Sequence, residues 1–222
     1  KGQLLTNYWA TSHPSQGNYI SQVIGGVFGY YDSGAIYDVT ESNLVQLMEA
    51  KAFPGKFTPF FNPLIARKTY QEGYTGVCNT AQLIGRYARK HNPFISLTSV
   101  QNNATVCAKV VPATQLSTDL DAGTLPQFSY YTPDLDNDGH DTGLAVAGTA
   151  MNTWMNTYYS RLPTGTLLIV TWDEDDSKEE DNHIHTFLMG SMITANTTDN
   201  WPYSHYALAK AVELNWNLGS LN

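Results

Sequence analysis

Thr166-Leu167-Leu168-Ile169-Val170-Thr171-Trp172 is an unbroken apolar and β-branched run, bounded by Gly165 and by Asp173-Glu174-Asp175-Asp176. A short run of this kind reads as a strand buried on both faces, the pattern of a parallel sheet covered by helices. Outward from it, His185 to Met192 reads as another strand and Tyr206 to Trp216 as a helix, followed by Leu218-Gly219. On the other side, Gly143 to Leu162 is the longest helical pattern and stops before Pro163. Ser42 to Ala52 predicts an amphipathic helix, with Leu44, Leu47 and Met48 on one face and Thr40 or Ser42 as its cap. Tyr19 to Ile24 reads as helical, and Leu4 to Ala10, Phe94 to Val100 and Lys109 to Val111 as strands. Phe57 to Gly85, with Pro59 and Pro63, is irregular. No repeat and no low-complexity linker interrupts the chain. Alternating strands and helices predict an α/β fold, layered about a mainly parallel central sheet, whose site lies beyond the carboxyl ends of strands.

With 222 residues the chain can bury one substantial core. We expect a single domain over residues 1–222, with a loop-rich excursion at about 57–107. Charged residues make up 14% and aromatic residues 12%, which excludes a disordered chain. The net charge of -8 would repel a nucleic-acid backbone. No apolar run reaches the ~20 residues of a membrane span. Cys78 and Cys107 either close that excursion as a disulfide or stay as buried thiols, and the first is the preferred reading. Asn103-Ala104-Thr105 and Asn196-Thr197-Thr198 are sequons for N-linked glycans. With the scarcity of Lys they favour a secreted protein.

Three segments carry candidate chemistry. Four acids, Asp173 to Asp176, repel one another at a strand end, so a cation is a natural neighbour. Asp173 and Glu174 are read as ligands, and Asp175 onward, through Glu179, Glu180 and Asp181, as a solvated loop. Asp134-Leu135-Asp136-Asn137-Asp138-Gly139-His140-Asp141 imitates the start of an EF-hand. The twelfth position is Ala145, however, where a bidentate Glu is needed, and Phe128 to Pro133 looks extended where a helix should precede. His140 favours a transition metal over calcium. The alternative is an Asx-rich turn capping the next helix. Ser12-His13-Pro14-Ser15-Gln16-Gly17-Asn18-Tyr19 places hydroxyls at a helix N-terminus, where an oxyanion is stabilised. From spacing alone, N-capping by Ser15 or Asn18 is the better reading. His183 and His185 are two apart and share one face of a strand. His205 precedes a helix.

In this order these segments resemble the phosphoesterase family of fungal and bacterial acid phosphatases and phospholipases C, within the alkaline-phosphatase-like superfamily. The likeness runs through Leu5 to Ala10 and His13 to Tyr19, then Lys90-His91-Asn92-Pro93-Phe94 and Thr124 to Pro133. It continues through Asn137 to Asp141, Val170 to Asp175, Tyr203 to Leu208, Glu213 and Trp216 to Gly219. It is greatest with secreted fungal acid phosphatases. The resemblance implies a three-layer sandwich and a divalent metal ion of unspecified identity, with Asp138, His140, Asp173 and Glu174 as ligands or direct neighbours. It implies hydrolysis of a small-molecule phosphate monoester through a phosphoseryl intermediate, cleared by metal-bound water. Ser12, two residues before the Pro of its turn, is the preferred nucleophile over Ser15. His13, Ser15 and His140 would support catalysis, and Asn18 and His205 would touch substrate.

The departures are also specific. Family members carry a Glu-Asn pair on a strand before the region matching Lys1, so this chain is expected to be N-terminally incomplete. Gly17 replaces a usual Pro. Phe57 to Cys78 departs from the family, which leaves substrate selectivity open. A phosphodiesterase such as a phospholipase C, and a catalytically silent secreted glycoprotein of the same fold, are the competing readings.

Overall fold

The structure is a computed structural model and describes residues 2–30, 36–50, 65–176 and 181–221. The Pro59 and Pro63 part of the irregular stretch, the expected helix end at Ala52, and Glu179 and Glu180 lie outside the described residues. In chain order the strands are β1 (Gln3–Leu5), β2 (Tyr8–Trp9), β3 (Arg67–Gln71), β4 (Leu83–Ile84), β5 (Tyr87–Ala88) and β6 (Val110–Pro112). They continue with β7 (Phe128–Thr132), β8 (Leu168–Thr171), β9 (Thr186–Met189), β10 (Thr197–Asp199) and β11 (Tyr203–Ser204). The helices are α1 (Gln16–Ile24), α2 (Leu44–Ala50), α3 (Pro93–Ser96), α4 (Thr98–Gln101), α5 (Ala104–Cys107), α6 (Gln115–Asp121), α7 (Leu144–Tyr158) and α8 (Tyr206–Trp216). No helix among the described residues is long and apolar enough to cross a membrane.

The fold is mixed α/β. The single domain expected from the sequence divides here into two compact units. The first holds Lys1–Tyr37, Ser42–Leu44 and Pro163–Asn222; the second holds Asp38–Glu41 and Val45–Leu162.

The first unit contains a four-stranded sheet of order β10-β1-β9-β8. Only β1 and β10 run parallel; β9 is antiparallel to both β1 and β8. This corrects the expectation of a mainly parallel sheet around the Leu167–Thr171 run. It also corrects burial on both faces: all four residues of β8 are half-buried, and β9 is its neighbour among the described strands. The apolar run reported strand identity, while pairing and burial depend on segments far away in sequence. The register puts Leu5, Thr186 and Thr171 on one face, toward the cluster of Leu5, Tyr8 and Ile184. Leu4, Phe187 and Val170 share the other face. Helix α1 is buried along its length, ends at left-handed Gly25 (φ 72°) and packs against α8.

The second unit holds a three-stranded parallel sheet in the order β6-β3-β7; its central strand β3 lies inside the stretch from Phe57 to Gly85 expected to be irregular, which corrects that expectation. Here the expected strand at Phe94 to Val100 is corrected to two short helices, α3 and α4. Asn92 caps α3 by accepting from the Ile95 N–H at 3.2 Å, and Pro93 sits at its first position. Phe94, Ile95 and Leu97 are fully buried, and a short apolar run of this kind fits a buried helix as well as a buried strand, so hydrophobicity alone did not distinguish them. Cys78 and Cys107 form a disulfide, with Cα atoms 5.7 Å apart.

Candidate functional site

In the first unit the turn between β2 and α1 is built on Asn18. Its Oδ1 accepts from the N–H groups of Thr11 (2.8 Å) and Ser12 (2.9 Å), and its Nδ2 donates to the Ser12 carbonyl (2.7 Å). Asn182 donates to that same carbonyl at 2.7 Å and accepts from the Asp175 N–H at 2.9 Å. One amide thus fixes Ser12, and a second ties Ser12 to the acidic turn after β8. The Ser12 Oγ is buried and takes no hydrogen bond among the described residues. It rests where a Cβ on Gly17 would overlap it and the Tyr30 carbonyl. A side chain at this position would have to displace Ser12 or the Tyr30 carbonyl, which is the reason glycine suits this turn.

Glu174 is the hub. His13 donates from Nδ1 to its Oε2 at 2.5 Å, and Ser15 donates from Oγ to its Oε1 at 2.7 Å. Ser15 occupies the N-cap position of α1 but makes no side-chain cap there, so the capping reading gives way to a Glu174 contact. Burial raises the Glu174 carboxyl above its ordinary range, opposed by the Ser15 hydrogen bond and aided by the Asp173 charge. His205 is fully buried. Its Nε2 donates to the Asp173 carbonyl at 2.6 Å, and Tyr8 and Gln22 approach its Nδ1 at 3.5 and 3.4 Å. Burial lowers its pKa, opposed by the hydrogen bond to the Asp173 carbonyl and by the Asp173 charge. Asn18 and His205, expected at substrate, are both buried and committed to backbone; each positions a neighbour instead. His183 and His185 do share an exposed face, between buried Asn182, Ile184 and Thr186, but they face Trp9 and Trp172.

In the second unit the Asp-rich loop follows β7. Asp134 forms an Asx turn, accepting from the N–H groups of Asp136 (3.1 Å) and Asn137 (3.0 Å). Glu72 holds the loop from β3's end, accepting from Tyr131 Oη (2.5 Å), Asn137 Nδ2 (2.8 Å) and the Asp134 N–H (3.0 Å). Asp138 accepts from His91 Nδ1 at 3.0 Å and from the His140 N–H at 2.8 Å. His140 donates from Nδ1 to Asp141 at 2.6 Å. Arg86 pairs with Asp136 at 2.6 Å and also with Asp141. The loop leads to α7, whose N-cap, Gly143 (φ 84°), carries no side-chain cap.

Ser12, His13, Ser15, Asn18, Asp173, Glu174 and His205 thus belong to the first unit, and Asp138 and His140 to the second. Asn103 and Asn196 are both exposed. Sequence reasoning assigned no role to His91, Glu72, Arg86 or Asn182. His91 alone lay in a quoted motif; the others act through contacts many residues distant. For a metal, the Asp173 carboxylate takes no hydrogen bond among the described residues, and carboxylate with imidazole suits a divalent ion. Among the described residues no three His, Cys, Asp or Glu side chains are grouped to hold one. The donor chemistry therefore fits, but a preassembled cage is not formed by the described side chains.

The first unit of this mixed α/β fold thus sets a hydroxyl turn at a helix N-terminus, with Ser15 bonded to the Glu174 carboxylate. The chain belongs to the Phosphoesterase family, which matches it over residues 2–219. It is 32% identical over 237 residues to a "Probable acid phosphatase" of Kluyveromyces lactis, covering all of this chain and 53% of that protein. It is 32% identical over 235 residues to a "Phosphate-repressible acid phosphatase" of Penicillium chrysogenum, again covering all of this chain and 53% of that protein. A "Phosphatidylinositol-3-phosphatase" of Mycobacterium tuberculosis is 28% identical over 213 residues, which are 96% of this chain and 65% of that protein. The chain spans about half the length of the two fungal relatives.

Proposed function

We propose that this chain forms part of a secreted, metal-dependent hydrolase of phosphate monoesters, with Ser12 as the nucleophile. The observation that carries the reading is Ser12's anchorage. Its N–H and carbonyl are held by Asn18, and its carbonyl also by Asn182, while its hydroxyl takes no hydrogen bond among the described residues. The Ser15 hydroxyl is instead committed to Glu174. Attack requires the Ser12 Oγ to leave its buried rotamer, a single χ1 step. Its oxygen then bonds to phosphorus as the hydroxyl proton passes to solvent, the P–O bond to the ester oxygen breaks and that oxygen takes up a proton, and water later cleaves the phosphoseryl bond, releasing phosphate and restoring the Ser12 hydroxyl. Ser15 and His13 hold Glu174 in place.

Asp173 and Glu174 in the first unit, and Asp138 and His140 in the second, are the donors we propose for divalent metal. When bound, such an ion supplies Lewis acidity to phosphoryl oxygens. The alkaline-phosphatase-like three-layer sandwich remains the architecture we propose for the whole protein. A phosphate carried on an inositol lipid is a second substrate class, favoured by the name of the mycobacterial relative.

The test uses the full-length protein on p-nitrophenyl phosphate and on bis-p-nitrophenyl phosphate, before and after chelation and metal return. We expect chelator-sensitive monoester hydrolysis. Ser12→Ala should lower turnover by at least about 10³-fold, and Ser15→Ala by about 10–100-fold. Wild-type turnover in Ser12→Ala would overturn the nucleophile assignment. Absence of any hydrolysis by metal-loaded protein would overturn the function.

A further inference from the structure

Glu72 is the first residue after β3, and its N–H donates to the Thr132 carbonyl at 3.1 Å. The two-residue period of a strand puts its side chain on the same face as Tyr70, and the parallel register sets Tyr70 opposite Tyr131 on β7. One carboxylate oxygen thereby accepts from the Tyr131 hydroxyl at 2.5 Å. The other accepts from the Asn137 side chain at 2.8 Å and from the Asp134 N–H at 3.0 Å. Hydrogen bonds are directional, so three of them on one carboxylate fix orientation as well as distance.

These contacts reach the candidate ion donors of the second unit through the loop's own bonds. The Asp134 carbonyl accepts from the Asp138 N–H at 2.8 Å, and Asp138 in turn accepts from the His140 N–H at 2.8 Å. Asn137 directly precedes Asp138. Glu72 thus holds the residue that begins this chain of bonds and the residue beside its middle. The far end is tied separately: Thr142 Oγ1 donates to the Asp136 carbonyl at 2.6 Å, and the Gly143 N–H to the Gly139 carbonyl at 2.7 Å. Tyr131 is itself braced, its ring meeting that of Trp154 on α7 edge-on at 5.6 Å. Asp134, Asp136, Asp138 and Asp141 repel one another. Without such bracing the loop would spread, and its donors would have to be gathered at the moment an ion binds.

We propose that Glu72 is a positioning residue, which preorganises Asp138 and His140 for a divalent ion through its hydrogen bonds and not through its charge. The proposal rests on the metal-dependent reading above. Outer groups that orient ligands in this way contribute about 10–100-fold to ion affinity.

Full-length wild-type protein, Glu72→Ala and Glu72→Gln are stripped with chelator and titrated by calorimetry with Mn²⁺ and with Zn²⁺. Amide hydrogen exchange is read on the metal-free forms. Glutamine can keep the arrangement: its oxygen accepts from Asn137 and Asp134 while its amide donates to the Tyr131 oxygen. We expect Glu72→Ala to bind the ion about 10-fold more weakly. Its Asp136, Asn137 and Asp138 N–H groups should exchange at least about 10-fold faster, with exchange in β3 and β7 unchanged. Glu72→Gln should match wild type in both readouts. Tyr131→Phe, which keeps the ring against Trp154 and removes one donor, should lie between wild type and Glu72→Ala. Wild-type affinity or wild-type loop exchange in Glu72→Ala overturns the proposal. A glutamine variant as weak as the alanine one overturns it too, because charge would then be what matters. If Glu72→Ala does not fold, a Tyr131→Phe protein indistinguishable from wild type has the same force. Wild-type protein that binds neither ion overturns the metal reading itself and the proposal with it, a failure seen before any variant is made.

Discussion

His205 and Asn18 show how a polar side chain serves a site from inside the core. His205 is buried, and its Nε2–H is committed to the Asp173 carbonyl. In the unfolded chain it would accept a proton below about pH 6.5. Its folded pKa is depressed by burial, so the stability it contributes is full above that pH and is lost as pH falls toward the folded value. Urea midpoints measured from pH 7 to 5 should therefore fall more steeply in the wild type than in His205→Asn; equal slopes would remove this account. Glu174 acts in the opposite sense: burial raises its pKa, so its contribution weakens as pH rises through its folded pKa. At His140, the contact between Nδ1 and the Asp141 carboxylate at 2.6 Å fixes Nδ1 as the donor, so in the neutral ring Nε2 is the acceptor nitrogen. Nitrogen-detected NMR should find Nδ1-protonated His140 in the wild type and a mixture of tautomers in Asp141→Ala.

Among the elements, the turn before α1 was legible and the segment after Asn92 was not. Gly17 adjoins Ser12 so closely that any Cβ overlaps its hydroxyl and the Tyr30 carbonyl. Gly17→Ala should displace Ser12 and lower kcat at least about 10-fold, with KM the lesser change; unchanged kcat would contradict the close contact. Phe94 to Val100 carries the apolar, β-branched composition of a strand. It folds as α3 and α4 because Asn92 and Pro93 start a helix and the buried Phe94, Ile95 and Leu97 can fill the core from that geometry. Asn92 also donates to Tyr87 Oη at 3.2 Å. Asn92→Ala should cost about 1–2 kcal/mol by chemical denaturation.

For the whole molecule, the Cys78–Cys107 disulfide closes a loop with a sequence separation of 29 within the second unit. Loop-closure entropy sets its contribution at roughly 3–4 kcal/mol. The Cys78→Ala, Cys107→Ala double variant should lose stability of that size, read as a drop in the urea midpoint. An unchanged midpoint would mean that the excursion is held by its other contacts.

Strand, helix and turn identities around β8, α7 and α8, the hydroxyl turn at Ser12 to Asn18, and the family were determined by sequence alone. Each is written in local periodicity, capping chemistry or a short motif. Tertiary structure decided that β9 runs antiparallel beside β8, that His205 and Asn18 are buried braces, and that Glu72, His91 and Asn182 belong with their sites. Those facts depend on which distant segments share a surface. Strand pairing and desolvation are properties of that shared surface, and no window of neighbouring residues contains them.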